Sequence, residues 1–301
     1  MRPALAYRHR PGPLGDGSAL AASLFCAAPA GAALVSSDPI VLAGALAAVV
    51  TAGLLAGARR GLALAARWNL GLGVILIAVN GLTSQRGDTV LVHGIVMPLI
   101  GNVDISAEAL GEGAVLAARI GIICMAFAVH ATTVDPDRVL RLLRPIARRS
   151  ALTATLIART VPLAARDYAR LGEASALRGP LAAPAGRAVL ARRLVAGSLD
   201  RAVDVAATLE LRGYGHGAPG RADRLRRSRH DTALVGSALA LFLASAGARL
   251  AGLADFRAYP ALRFDAGAWT IAAALAMPLA AAAPFALAAL RSRIVGGRSR
   301  A

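Results

Sequence analysis

Two copies of one short motif carry the residues best suited to specific chemistry in this chain. Each copy has the order apolar–Arg–Gly and ends a helix-like run: Leu177-Arg178-Gly179 and Leu211-Arg212-Gly213. A single copy indicates a helix end, because Arg complements the C-terminal dipole and Gly supplies a left-handed cap. A pair of copies on two long helices indicates two forked guanidinium groups that can each bind carboxylates in an acidic groove.

Composition indicates where those helices must be anchored. The chain has 301 residues, of which 56% are hydrophobic, and its net charge is +17. Since the sequence contains no Lys, all of its strongly basic side chains are Arg. The mean hydropathy of +0.58 is too high for an ordinary soluble domain and argues against a nucleic-acid-binding protein. Cys26 and Cys124 lie in separate apolar runs, which predicts buried hydrophobic side chains rather than a metal or redox pair.

Six apolar segments are long enough to cross a bilayer, which takes about 20 residues in a helix. We predict spans over 18–36, 39–58, 62–82, 107–132, 232–253 and 266–290. The first of these is expected to be a retained span and not a signal peptide. The run 89–100 contains Gly94 and Pro98 and is too short to span, so it predicts a re-entrant or broken element.

The arginines predict the orientation, because cytoplasmic loops are enriched in positive charge. The N-terminal segment, Arg59-Arg60, the C-terminal tail and the segment 135–230, which holds 19 arginines, all fall on one side of the six-span arrangement. The prediction is an all-α integral membrane protein of the plasma membrane with about six transmembrane helices and both termini in the cytoplasm. The sequence also predicts a large cytoplasmic helical domain with two long amphipathic helices.

The apolar spans and the distribution of arginines also predict five regions along the chain. They are a cytoplasmic segment (1–17), an N-terminal transmembrane region of about four spans plus the short re-entrant element (18–132), the cytoplasmic helical domain (133–230), a C-terminal transmembrane pair (231–290) and a basic tail (291–301). Within the cytoplasmic helical domain, Asp135-Pro136 is a helix-start signal, and Gly179-Pro180 and Gly213 are stop signals. These signals predict helices over about 136–149, 151–178 and 185–212.

The last of these helices has a narrow polar stripe on an otherwise apolar surface. Arg193, Gly197, Asp200 and Asp204 recur at helical spacing, and Leu and Val residues cover most of the remainder. A helix with so broad an apolar surface is expected to rest on the membrane, on its neighbouring helix or on a partner.

A charged residue interrupts the fourth predicted span. Arg119 lies two helical turns from Glu112, and Glu108 lies one turn further along the same face. Because a charge inside a membrane is costly, such a residue is functional or paired. We consider two hypotheses, an intramembrane contact with a membrane partner and an internal ion pair with the two glutamates.

No pattern in the chain predicts an enzyme or a cofactor site. His93, His130 and His216 lack metal-ligand spacing, and the glycine-rich stretch 213–217 has no phosphate-loop Lys. The sequence shows no nucleophile–base arrangement and no paired acids near a credible active site. We therefore expect no metal site, no cofactor and no ATP hydrolysis by this chain itself.

Several segments together resemble the transmembrane T component of energy-coupling-factor (ECF) transporters, the CbiQ-like proteins. The resemblance covers most of the chain, and the Arg-Gly pair in its basic helical context is its specific part. The matching segments are 7–14, 105–110 with 118–120, 132–140 with 143–145, 159–163, 174–179 and 210–215. Leu177 and Leu211 stand where Ala is usual in the family.

The resemblance implies a coupling function. The two long cytoplasmic helices would dock into grooves on two ABC ATPase subunits or domains through Leu177, Arg178, Gly179, Leu211, Arg212 and Gly213. ATP-driven motion would then pass to a small membrane-embedded S component that binds a vitamin or a transition-metal ion. The implied partners are the ATPases, the S component and the lipid bilayer, with no nucleic acid.

Other classes of protein predict different features. A self-contained permease or a conventional ABC permease would have polar residues facing a cavity in several spans, whereas these spans are mostly Ala, Leu, Val and Gly. A membrane-bound enzyme would need intramembrane His, Asp or Glu clusters. A basic membrane protein that binds anionic lipid or nucleic acid would have interchangeable arginines, whereas docking singles out Arg178 and Arg212.

Overall fold

The computed structural model describes residues 7, 9–83, 89–97, 101–143, 148–177, 186–212, 228–250 and 267–298. These residues form ten helices and two strands. In chain order the elements are α1 (Pro13–Asp16), α2 (Ala19–Val35), α3 (Pro39–Leu55), α4 (Arg59–Thr83), β1 (Val90–Met97), β2 (Gly101–Ser106), α5 (Ala107–Thr133), α6 (Pro136–Leu143), α7 (Arg148–Ala176), α8 (Arg187–Leu211), α9 (Asp231–Leu250) and α10 (Ala268–Arg298).

The chain divides into two compact units. The first, called here the membrane unit, is formed by Met1–Val139 together with Arg226–Ala301. The second, called here the insert, is Leu140–Leu225 and contains α7 and α8. The insert is therefore a continuous segment that leaves the membrane unit after α5 and returns to it before α9.

Side-chain caps fix where several membrane helices begin. The Ser18 hydroxyl accepts a bond from the Ala21 amide at the start of α2, and Ser106 does the same for Ala109 at the start of α5, both at 3.3 Å. Asp38 Oδ1 accepts from the Ile40 and Val41 amides at 2.8 and 3.3 Å, with Pro39 as the first residue of α3. These caps satisfy amides that have no partner within their own helix.

Small side chains hold the membrane unit together. Its core lies between α2, α3, α5, α9 and α10 and is rich in buried Ala. Gly44 of α3 faces Ala274 of α10 so closely that a Cβ on Gly44 would lie 2.7 Å from the Ala274 backbone. The Ser245 hydroxyl of α9 donates to the Ala32 carbonyl of α2 at 3.0 Å. Close backbone approach of this kind is typical of helix pairs packed in membranes.

The predicted all-α membrane architecture is confirmed. Four helices (α4, α5, α9 and α10) are long and apolar enough to cross a membrane, and α2 and α3 are shorter apolar helices of 17 residues each. These six helices coincide with the six predicted spans to within a few residues at most ends. The exception is α10, which continues to Arg298.

The segment expected to be a re-entrant or broken element contains strands instead of helix. β1 pairs antiparallel with β2, with Val90 opposite Ser106 and Met97 opposite Gly101, and the register shifts twice along the ladder. The apolar residues of β1 are mostly β-branched, which favours extended backbone over helix. The depth of this hairpin in the membrane stays a prediction.

The insert contains the two long helices predicted for it. α7 covers 148–176 where 151–178 was expected, and α8 covers 187–211 where 185–212 was expected. α6 is described over Pro136–Leu143, the first part of the predicted 136–149, and residues 144–147 lie outside the described residues. Pro162 lies inside α7, and the helix continues on both sides of it. α7 and α8 pack against each other.

Candidate functional site

The first Arg-Gly motif begins where α7 ends. Leu177 follows Ala176, the last helical residue, and its amide donates to the Glu173 carbonyl at 3.0 Å. The Leu177 side chain is 87% exposed. Arg178 and Gly179 lie outside the described residues. The part of the motif that is described is thus a helix end with a large apolar side chain open to a partner.

The second motif begins in the same way at the end of α8. Leu211 is the last residue of the helix and is 88% exposed. Arg212 is the C-cap, and its amide donates to the Thr208 carbonyl at 3.2 Å. Gly213 lies outside the described residues. Both motifs therefore place an exposed Leu at the C-terminal end of a long helix, immediately before the Arg.

An ion pair that the sequence reading missed joins the two helices. Arg201 Nη2 of α8 donates to Asp167 Oδ2 of α7 at 2.8 Å. Both side chains are partly exposed, at 40% and 25%, so solvent screens the pair and its net contribution to stability is about 0–1 kcal/mol. The ion pair instead fixes the alignment of the two helices, because a charge-assisted bond restricts how α7 and α8 slide past each other. A charge on each helix was visible in the sequence, but not which charges face each other.

The broad apolar surface predicted for α8 is open within the insert. Only Leu190 of this helix is buried, whereas Val195, Leu199 and Val203 are each more than 60% exposed and follow one another at i, i+4 spacing. On α7, Ile157 and Val161 are also mostly exposed. Exposed apolar surface of this extent marks a site for lipid or for another protein.

Arg119 of α5 contacts the turn between α2 and α3. Its Nη2 atom donates to Ser37 Oγ at 2.9 Å and to the Ser36 carbonyl at 3.3 Å. Ser36 is the C-cap of α2, so the guanidinium lies at the negative end of that helix dipole. Arg119 Nε and Asp38 Oδ2 are buried, and neither has a hydrogen-bond partner within the described part of the chain.

The internal ion pair that was one hypothesis for Arg119 is not formed among the described residues. Glu108 is buried and accepts the Thr89 amide on Oε1 at 3.2 Å, while Glu112 is exposed. Two helical turns separate Arg119 from Glu112 by about 10 Å along the axis, which is too far for direct pairing. The Ser36 carbonyl is within reach, so Arg119 binds the turn.

The sequence predicts that the histidines do not bind a metal ion. His130 Nε2 lies 3.0 Å from Ser23 Oγ in a contact between α5 and α2. His216 lies outside the described residues. Within the described ranges, no group of three or more His, Cys, Asp and Glu side chains is arranged to hold a metal ion.

Comparison with protein families gives one match. The family model for CbiQ, described as cobalt transport protein, matches residues 20–221, which is about two thirds of the chain. The chain belongs to the CbiQ family. The match begins in α2 and extends through both Arg-Gly motifs and all of α8, so it covers α2 to α8 and all but the last four residues of the insert. No curated protein matches the chain.

Family membership confirms the resemblance seen in the sequence and gives the general function. This CbiQ-family protein is a membrane component of a cobalt/ECF-type transport system. The apolar helices of the membrane unit agree with that function, because they supply a multi-pass membrane protein.

Proposed function

We propose that this CbiQ-family protein is the transmembrane coupling subunit of an ECF-type importer. In this proposal the insert transmits the motion of two ABC ATPase subunits or domains to a membrane-embedded S component that binds the substrate, a vitamin or a transition-metal ion. The chain itself neither hydrolyses ATP nor selects the substrate.

One observation carries the proposal. Two long helices of the insert, α7 and α8, both end in an exposed Leu directly followed by Arg, and this occurs in a chain whose family belongs to cobalt transport. An exposed Leu beside a guanidinium matches a protein groove with an apolar floor and a carboxylate at its mouth, since Arg forms paired bonds with carboxylates. The exposed apolar surface of α7 and α8 leaves room for a second partner.

The test compares the two motif arginines with arginines elsewhere on the insert. We expect Arg178→Ala or Arg212→Ala to reduce co-purification of the ATPases by about tenfold or more, because one partner of a charge-assisted contact is lost. Arg192→Ala, on the exposed middle of α8, and Arg221→Ala should have little effect. If all four variants weakened binding equally and mildly, the insert would be a general basic surface for anionic lipid.

Two further measurements separate the proposal from a permease. The purified chain alone should show no ATPase activity and no cobalt uptake in proteoliposomes, and both should require the ATPases and an S component. Uptake by the chain alone would instead support a self-contained permease. Failure of any ATP-hydrolysing protein to co-purify with the wild-type chain would overturn the coupling proposal.

The proposal also includes the orientation in the plasma membrane. Docking to ATPases requires the insert and both termini to face the cytoplasm, in agreement with the arginine distribution. Single cysteines at positions 141 and 192, in a chain without Cys26 and Cys124, should resist membrane-impermeant thiol reagents in intact cells. Labelling of these positions from outside would contradict the orientation.

A further inference from the structure

The segment of residues 10–18, called here the N-terminal clasp, lies between the two points where the insert joins the membrane unit. The clasp contains α1 and the N-cap of α2. Leu14 of the clasp is buried in the membrane-unit core. The chain leaves for the insert through Asp135 and Arg138 and returns from it through Ser228 and Asp231.

The departing chain is bonded to the clasp through Arg138. Its Nη1 atom donates to the Gly15 carbonyl at 3.0 Å and to the Gly17 carbonyl at 3.4 Å. Arg138 also lies 3.6 Å from the Asp135 carboxylate, one turn earlier. Two carbonyls and one carboxylate around a single guanidinium fix the start of α6 relative to α1, because the donors of Arg have a rigid fork geometry.

The returning chain is bonded to the other end of the clasp through Asp231. Its Oδ1 atom accepts from the Ser18 amide at 2.8 Å, and its Oδ2 atom accepts from the Ser228 amide at 2.9 Å. The carboxylate thus joins the start of α9 to the start of α2 and also closes the turn before α9. One carboxylate can accept a hydrogen bond on each of its two oxygens, so a single side chain makes both contacts.

The clasp approaches its neighbours as closely as the chain allows. A Cβ on Gly17 would lie 2.6 Å from the Pro13 carbonyl and 2.8 Å from Leu234 Cδ1 of α9, so a side chain at this position would distort the turn between α1 and α2 and displace the Leu234 side chain. Arg10 Nη1 reaches the Ala56 carbonyl at 3.4 Å, which extends the contacts to the turn between α3 and α4.

The same charged residues, Asp135 and Arg138, affect the pKa of Tyr7, which lies just before the clasp. Burial raises the pKa of the Tyr7 hydroxyl above its ordinary value, the Asp135 carboxylate raises this pKa further, and Arg138 lowers it.

From these contacts we infer that the clasp is a transmission element. Arg138 and Asp231 are the membrane-unit residues next to the two ends of the insert, and both are bonded to the same short segment. Motion that reaches these two points is therefore passed to the starts of α2 and α9. Arg138 and Asp231 are positioning residues in this inference, which rests on the proposed coupling function.

The test uses the full complex of the chain with its ATPases and S component in proteoliposomes. Arg138→Met removes the donors, and Asp231→Asn keeps the size of the side chain but leaves one acceptor in place of two. We expect both variants to co-purify with the ATPases and to hydrolyse ATP, while cobalt taken up per ATP hydrolysed falls about fivefold or more. Arg141→Met and Asp137→Asn are matched controls, since both side chains are exposed on the neighbouring turn of α6.

A second measurement does not depend on the substrate. In the wild-type complex, a non-hydrolysable ATP analogue should change amide hydrogen exchange in the insert and also at the starts of α2 and α9. In Arg138→Met and Asp231→Asn the change should stay confined to the insert. Gly17→Ala should give the same confinement without altering any charge, and Arg138→Lys should restore part of the wild-type response.

The outcomes distinguish this inference from the proposed function. Unchanged uptake per ATP together with an unchanged exchange pattern in the variants would overturn the clasp and leave the coupling function intact. A loss of ATPase binding in proportion to a loss of thermal stability would show that the residues merely support the fold. Absence of ATPases from the wild-type preparation would instead overturn the proposed function itself.

Discussion

The membrane unit and the insert differ in how much buried apolar core they contain. In the membrane unit, Leu241, Met277 and many alanines are almost fully enclosed by neighbouring helices, inside an apolar surface on which Trp68 and Leu279 are exposed. In the insert, most of the large apolar side chains that the structure describes are exposed, and a partly solvated ion pair links the two long helices. The membrane unit therefore has a packed core inside a surface suited to lipid, whereas the described part of the insert has no comparable core and leaves its apolar side chains to a partner or a lipid.

The comparison predicts that replacing Leu by Ala costs much more stability in the core of the membrane unit than on the exposed surface of the insert. Leu241→Ala in the membrane unit should lower the free energy of unfolding by about 2–5 kcal/mol, because it leaves a cavity in a close-packed core. Leu199→Ala on the exposed surface of α8 should change it by no more than about 0.5 kcal/mol. Denaturation with SDS in mixed micelles measures both values. Equal losses at the two sites would mean that the surface of α8 is covered within the chain itself.

A second prediction sharpens the role of small residues in the membrane unit. Gly44→Ala places a methyl group 2.7 Å from the Ala274 backbone and should destabilise the chain by about 1–3 kcal/mol through the forced separation of α3 and α10. Gly121→Ala is the matched control, because a Cβ there meets nothing within 4 Å and alanine favours helix by up to about 1 kcal/mol. The same unfolding assay compares them, and a stable Gly44→Ala protein would contradict close packing at this contact.

The smallest expected effect belongs to the ion pair of the insert. Arg201→Ala and Asp167→Ala should each cost about 0–1 kcal/mol, and a double-mutant cycle should give a coupling of similar size that weakens as salt is added. Thermal unfolding of the insert helices, followed in the intact chain at low and high salt, measures the coupling. A large, salt-independent coupling would mean that the pair is shielded from solvent.

Local signals predicted the elements well, and long-range contacts account for what was missed. Ser18, Asp38-Pro39 and Ser106 begin helices as their residue types suggest, and the six predicted apolar runs coincide with α2, α3, α4, α5, α9 and α10. The ion-pair hypothesis gave the wrong partners for Arg119. Its actual partners lie in the α2–α3 turn, more than 80 residues away in the chain, where no local pattern points to them. The hydrogen bond between Ser18 and Asp231 joins residues that are 213 positions apart, so no local sequence pattern predicts it.

The candidate site was predictable only as far as helix ends are. The described part of the motifs, Leu177 and Leu211 with Arg212, lies where α7 and α8 end, as expected because Gly and Arg mark helix C-termini. The exposure of Val195, Leu199 and Val203 could not be read from the sequence, because an apolar helix face looks the same whether it packs within the chain or awaits a partner. The strands β1 and β2 were missed because a short apolar run has no period that separates strand from helix.

The unequal lengths of the membrane helices impose a hydrophobic mismatch on the surrounding lipid. Helices α2 and α3 have 17 residues each and measure about 25 Å, whereas the hydrocarbon core is about 30 Å thick and α5 has 27 residues. Leu24 and Leu46 are exposed on these short helices, where they are available to acyl chains or to a membrane partner. Where α2 and α3 cross the bilayer, their length is matched either by a locally thinner bilayer or by association with another membrane protein, a demand that the longer α5 does not make.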